Sequence, residues 1–137
     1  MGDNTGDLLQ STARSLRRRF SAGLSEWDLA PGQARALRLI RDLEAPRLSV
    51  LAEHLRIAPR SATEVVDALE RRGLVLRCAD PHDRRATCVT VTDTGSETCG
   101  LIDDVRARAA REFLSVLPAA DRKELDRLLR RLLEAND

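Results

Sequence analysis

Arg84 and Arg85 stand side by side in the polar stretch Asp80-Pro81-His82-Asp83-Arg84-Arg85, where no core duty explains them. Adjacent guanidiniums there suit phosphate gripping or entry into a narrow minor groove, whose negative potential attracts arginine. Residues i and i+2 of an extended arm project to one side. Asp83 is therefore expected to hold the Arg85 guanidinium extended, with Arg85 in the groove and Arg84 on phosphate. Further upstream, Arg60, Ser61, Thr63 and Glu64 cluster within one short stretch. Arginine pairs with guanine, glutamate accepts from cytosine N4, and hydroxyls meet several base edges. A plainer reading exists for both groups. Arg60–Glu64 and Asp67–Arg71 have the i, i+4 spacing of surface ion pairs worth about 0.2–0.5 kcal/mol each, and Arg84 and Arg85 would suit a solvated turn bridged to Asp83.

Other chemistries lack their residues. No Ser/His/Asp set, paired carboxylates in a cleft or phosphate-cradling glycine loop is present, so catalysis is not expected. His54 and His82 are isolated, and three cysteines (Cys78, Cys88, Cys99) without CxxC spacing suggest neither a zinc set nor a secreted disulfide framework. No metal or cofactor is implied. Cys78 and Cys88 fall on two strands of one expected hairpin and can approach each other, as inert thiols or as a redox pair. Phe20, Trp27 and Phe113 are the only aromatics, too few for stacking platforms that bind single strands.

The 137 residues carry 23 Lys+Arg against 22 Asp+Glu, and 42% are hydrophobic, enough for one core. Lys123 is the single lysine, so 22 of the cations are arginine, the side chain suited to bidentate phosphate and guanine recognition. No run approaches the ~18 to 20 apolar residues of a membrane helix. The polar N-terminal stretch (Gly2, Asp3, Asn4, Asp7) has no apolar segment of a secretory signal. A cytoplasmic protein without membrane contact is expected.

The elements that must position these residues follow from periodicity. A first helix is expected from Asp7 to Leu24, with Leu8, Leu9, Leu16 and Phe20 on one face. A second starts at Pro31 and is broken by Glu44-Ala45-Pro46, after which Arg47-Leu48 reads as extended and Ser49 as the cap of a short third helix. Ala62, Val65, Val66 and Leu69 form the buried stripe of a helix from Pro59 to Arg72, ended by Gly73. The period then changes from 3.6 to 2. Leu74–Cys78 and Thr87–Val91 read as strands around the charged loop. Thr92 caps a long helix from Asp93 to Leu117, interrupted by Pro118, and a last helix from Asp121 to Glu134 carries Leu125, Leu128, Leu129, Leu132 and Leu133.

Two short helices followed at once by a hairpin make a winged helix-turn-helix. The stretches Leu69-Glu70-Arg71-Arg72-Gly73-Leu74-Val75, Asp80-Pro81-His82-Asp83-Arg84-Arg85-Ala86 and Val91-Thr92-Asp93-Thr94-Gly95 resemble the MarR family of bacterial transcriptional regulators. The resemblance spans essentially the whole chain. It implies one domain over 1–137: a mainly α winged helix-turn-helix at 29–98, flanked by dimerisation helices at 1–28 and 99–137. It also implies a homodimer on a pseudo-palindromic duplex, most often a repressor, with one recognition helix in the major groove and one wing in the minor groove. By analogy of fold, a small aromatic or anionic effector would sit near Trp27, between the winged part and the dimer helices. The peroxide-sensing branch carries a cysteine in its first helix; this chain has none before Cys78. The rival reading from another class is a winged-helix protein-interaction module, supported by the near-neutral pI of about 7.8.

Overall fold

Pro31 opens the central helix of the fold because its fixed φ suits a first helical turn and its missing N–H costs nothing there. In the computed structural model, which describes residues 4–137, that helix is α2 (Pro31–Asp42). Gly2 and Asp3 of the acidic N-terminal stretch lie outside the described residues. Ahead of it run α1 (Thr5–Gly23), capped by Asn4 accepting the Asp7 N–H at 2.9 Å, and a 3-10 turn at Ser25–Trp27. After it come α3 (Leu48–Leu55), α4 (Pro59–Arg71), β1 (Val75–Ala79), β2 (Thr87–Val91), α5 (Asp93–Leu114) and α6 (Ala119–Asn136).

The core forms where the apolar stripes of α2, α3 and α4 meet the hairpin and the first half of α5. Leu37 and Ile40 of α2, Leu51 of α3, Val66 and Leu69 of α4, Val75 and Val89 of the strands and Ile102 of α5 are all fully buried. At about 1.5–3 kcal/mol per buried large aliphatic side chain, this cluster is the main source of stability. Polar ties add direction: Arg41 of α2 donates to Asp103 of α5 at 2.6 Å. Along α1, Arg106 of α5 lies 4.7 Å from the centre of the Phe20 ring.

The strands pair antiparallel with Val75 opposite Val91 and Ala79 opposite Thr87. Gly73 adopts φ +73°, the left-handed conformation that ends α4. Its N–H donates to Glu70 O and the Leu74 N–H to Leu69 O, closing the helix end. Leu74 is thereby drawn into the helix terminus, and β1 begins one residue later than the alternation suggests.

Other boundaries also moved. Ser49 does not cap α3; the helix begins at Leu48 behind Arg47, which is extended and bridges to Cys88 of β2. This bridge to the hairpin fixes Arg47 and lets helical geometry start two residues earlier than a Ser49 cap would. α5 ends at Leu114, and Pro118 serves as the residue before α6. Leu8 and Leu9, on the apolar face that periodicity gives α1, are 52% and 48% exposed. Neither α1 nor α6 buries a residue, and Val116, Leu128, Leu132 and Leu133 are exposed as well. α1 rests on α5 through Phe20, but these leucines are uncovered within one chain.

Gly95, in the first turn of α5, lies against the end of α4. A Cβ there would overlap the Leu74 carbonyl oxygen. Thr92 fixes this approach, its hydroxyl donating to Gly73 O at 2.6 Å and accepting the Gly95 N–H at 3.0 Å. Gly95→Ala is therefore expected to destabilise the fold by about 1–3 kcal/mol through overpacking. A denaturant midpoint equal to that of the unaltered chain would show that α5 does not approach so closely.

Candidate nucleic-acid interface

The stripe that buries Ala62, Val66 and Leu69 of α4 turns Arg60, Thr63 and Glu64 to solvent, with Ser61 half-buried beside them. Ala58, the residue before the helix, offers no side-chain cap, so the first-turn N–H groups have no side-chain acceptor. Such an end favours an anion. The Thr63 hydroxyl donates to Pro59 O at 3.1 Å, leaving its lone pairs to accept. The ion pairs suggested by i, i+4 spacing are not formed. Among the described residues, Arg60, Glu64 and Arg71 join no salt bridge, and Asp67 turns instead to the hairpin.

There it meets Arg77 of β1. The Arg77 guanidinium donates to Asp67 Oδ1 at 2.6 Å and to Glu70 Oε1 at 2.9 Å, while the Arg77 backbone N–H donates to Glu70 Oε2 at 3.0 Å. One residue of the strand thus holds two carboxylates of the helix. Partly exposed pairs of this kind contribute only about 0–1 kcal/mol each. Their effect is positional: they fix where the hairpin leaves α4. Sequence reasoning gave Arg77 no such role, because its partners lie on an element of a different period.

The wing loop is shaped by carboxylates accepting backbone amides. Asp80 is 9% exposed and accepts the His82 N–H at 2.7 Å; the Arg47 guanidinium donates to its other oxygen. The His82 amide, and after it Arg47, hold the Asp80 carboxyl below its ordinary range against the opposing push of burial. Asp83 accepts the Arg85 backbone N–H at 2.9 Å, and the Ala86 N–H donates to Asp83 O. The segment is a turn where an extended arm was expected, and Asp83 holds the Arg85 amide where its guanidinium was expected. Arg84 and Arg85 are exposed, and neither joins a salt bridge among the described residues. A cleft of about 380 Å³ between the loop and the start of α3 is lined by Arg47, Ser49, Asp83 and Arg85. Asp80 and Arg47 were not among the candidate residues; an aspartate just before Pro81 was the available signal.

Trp27 lies apart from these groups, on a cleft of about 780 Å³. Its walls are α1 and α5, through Arg19, Gly23, Val105, Arg108 and Arg111, and the start of α2 takes no part. The site is nevertheless tied to α4. Arg72, at the end of that helix, donates to Trp27 O at 2.8 Å and to Asp28 O at 2.7 Å. Elsewhere, His54 lies against Val50 O and His82 in the wing; no group of three potential metal ligands occurs among the described residues.

A family model described as MarR family matches residues 29–87. A Thauera aromatica protein named for transcriptional regulation of the hcr operon is 32% identical over 104 residues, 76% of this chain. The match spans 63% of that relative's length. Among solved structures, a cysteine-to-serine mutant of Escherichia coli MarR complexed with operator DNA superposes with a TM-score of 0.77 at 25% identity, covering 93% of this chain and 92% of that one. The Mycobacterium tuberculosis MarR family protein Rv2887, complexed with p-aminosalicylic acid, gives 0.79 at 27% identity, covering 94% and 98%.

The Asp80 contacts carry a pH signature. A carboxyl whose native pKa is depressed contributes stability above its unfolded value, near 3.9, and loses it as pH falls through the native value. Asp80→Asn should therefore be less stable than the unaltered chain by a constant margin above about pH 5. That margin should close in acid, as read from urea midpoints across the range. A margin that does not change with pH would mean that the Asp80 charge does not hold the loop.

Proposed function

We propose that the chain is a MarR family transcriptional regulator binding double-stranded DNA as a two-fold dimer, a repressor in its default action. The observation that carries the reading is the Arg77 clamp. It sets an exposed helix face (Arg60, Thr63, Glu64) and an exposed pair of wing arginines at one fixed separation. A core does not need that arrangement, whereas a duplex with alternating grooves does.

Within this reading α4 enters the major groove. Arg60 donates to guanine or phosphate near the uncapped helix end, Ser61 and Thr63 offer hydroxyls to base edges, and Glu64 accepts from a cytosine amino group. Arg85 enters the adjacent minor groove and Arg84 grips phosphate. Asp83 acts on the turn through the Arg85 amide. The uncovered leucines of α1 and α6 form the dimer seam, since soluble chains rarely leave large apolar patches open. Residues 29–98 are the reading head, and 1–28 with 99–137 the dimerisation helices. The relatives named above are regulators, and this chain too acts by binding rather than by catalysis, in the cytoplasm with its DNA.

An effector site at Trp27 fits the same scheme. Of the charged groups on its walls, Arg19, Arg108 and Arg111 against Glu26, Asp104 and Glu112, an arginine would take the carboxylate of a small aromatic acid, and Trp27 would pack on its ring. The p-aminosalicylic acid bound by the Rv2887 protein is of this chemistry. Arg72 supplies the route to DNA, because a shift of the Trp27-Asp28 carbonyls moves the end of α4.

Gel shifts at two salt concentrations with the upstream region of its own gene test the assignment. Arg85→Ala should cost about 1–3 kcal/mol, most on sites with A·T-rich flanks. Arg84→Ala should weaken all sequences alike and lower the salt slope by about 1. Asp83→Ala should also weaken binding, although it makes the wing more positive. Variants that bind like the unaltered chain would remove the wing from the interface.

A further inference from the structure

Cys78 and Cys88 face each other directly across the hairpin, and both are free thiols. Their kind of pairing can be read from the ladder. The Asp80 N–H donates to Ala86 O at one end and the Thr92 N–H to Leu74 O at the other. Hydrogen-bonded pairs alternate along an antiparallel ladder, so Cys78 and Cys88 also form one, with Cα atoms about 5.5 Å apart. That lies inside the range of about 4.4–6.8 Å that a disulfide spans. Directly opposite residues project to the same face of the hairpin, so the two sulfurs share one side.

The thiols differ in environment. Cys88 is 6% exposed, against the Arg47 bridge, whereas Cys78 is open enough for a small oxidant to reach. Burial first, then the Asp80 charge and Cys78 itself, push the Cys88 thiol up, keeping it protonated. Cys99, the third cysteine, is fully buried in the core, its thiol donating to Leu37 O.

We propose that Cys78 and Cys88 form a reversible disulfide modification site, oxidised by a hydroperoxide, at the base of the wing. The Cys78 thiolate attacks the terminal peroxide oxygen. The O–O bond breaks, an alcohol or water leaves after taking up a proton, and Cys78 becomes a sulfenic acid. The Cys88 sulfur then attacks the Cys78 sulfur. The S–S bond forms as the S–O bond breaks, and the departing hydroxide takes the Cys88 proton to leave as water. The sum is two thiols and one hydroperoxide giving one disulfide, one alcohol and one water; the cysteines lose two electrons and the peroxide gains them.

The ladder geometry also makes the bond easy to undo. Opposite Cβ atoms start about 4.5–5.5 Å apart and must close to about 3.8 Å. The strands are pulled together, and a strained disulfide is the more reducible kind. The pull acts on Asp80, two residues beyond Cys78, and so on the Arg47 and His82 contacts that shape the arginine loop. The oxidised wing therefore engages DNA less well, a consequence that rests on the DNA-binding reading above.

The full-length protein, treated with hydrogen peroxide and then alkylated, tests this by intact mass and peptide mapping. The expected product has lost two hydrogens, contains one intrachain Cys78–Cys88 link and returns to three alkylatable thiols with dithiothreitol. Cys78→Ser and Cys88→Ser should each abolish the link, and Cys99→Ser should keep it. Three alkylatable thiols after oxidation, a link between chains, or an unresolved sulfenic acid at Cys78 would overturn the site. With the link verified, duplex affinity should fall at least about fivefold and recover on reduction. Unchanged affinity would overturn its regulatory use, and a reduced protein that ignores duplex altogether would fault the DNA-binding reading and not the disulfide.

Discussion

A helix and a hairpin joined by three residues, Arg72-Gly73-Leu74, can take many relative orientations, and the value of this pair lies in having one. Arg77 supplies it. Its two donors reach Glu70 and Asp67 on successive turns of α4, and its backbone amide uses the remaining Glu70 oxygen. The contacts are partly exposed and stabilise the protein little, but together they leave the wing one direction in which to leave the helix. The packing around the junction is built on that direction. Gly73 turns the chain, Thr92 ties the far strand back to Gly73, and Gly95 lets α5 pass against Leu74.

A second fixed point lies at the other end of the hairpin. Asp80 is nearly buried and charged, a combination tolerated because His82 and Arg47 both donate to it. Arg47 stands immediately before α3, so it ties α3 to the wing as Arg77 ties α4 to it. What remains free at the surface is what such a body would present to a partner: Arg60, Thr63 and Glu64 on α4, and Arg84 and Arg85 on the loop. The long helices are built differently. α1 and α6 have no fully buried residue in the single chain, and their outer leucines stay exposed.

Much of this was legible in the sequence because it depends on local periodicity. The stripe Ala62, Val66, Leu69 announces α4, the change to alternation at Leu74 announces the hairpin, and Pro31, Pro59 and Thr92 mark helix starts where the structure has them. The exposed arginines and the α4 face were found by asking which polar residues had no structural duty. The misses share a cause. Arg77, Arg47 and Arg72 act on elements other than their own, and periodicity is blind to such contacts. Ser49 looked like a cap by residue type, but the strand bridge at Arg47 decided the helix start. Asp83 was assigned to a guanidinium because an extended arm was assumed; in a turn its nearest donor is the Arg85 amide. The Trp27 cleft was placed against α2, although its walls come from α1 and α5, which meet only in three dimensions.

The central claim is that α4 and the wing of each protomer read adjacent grooves of one duplex as a rigid unit, twice over in a dimer. Dimethyl sulfate footprinting on a bound duplex, which reads guanine N7 in the major groove and adenine N3 in the minor groove, tests it most directly. The account predicts two major-groove windows about 10 bp apart centre to centre, each flanked by minor-groove protection that disappears selectively with Arg84→Ala/Arg85→Ala. A single window, or minor-groove protection that survives the loss of both arginines, would contradict it.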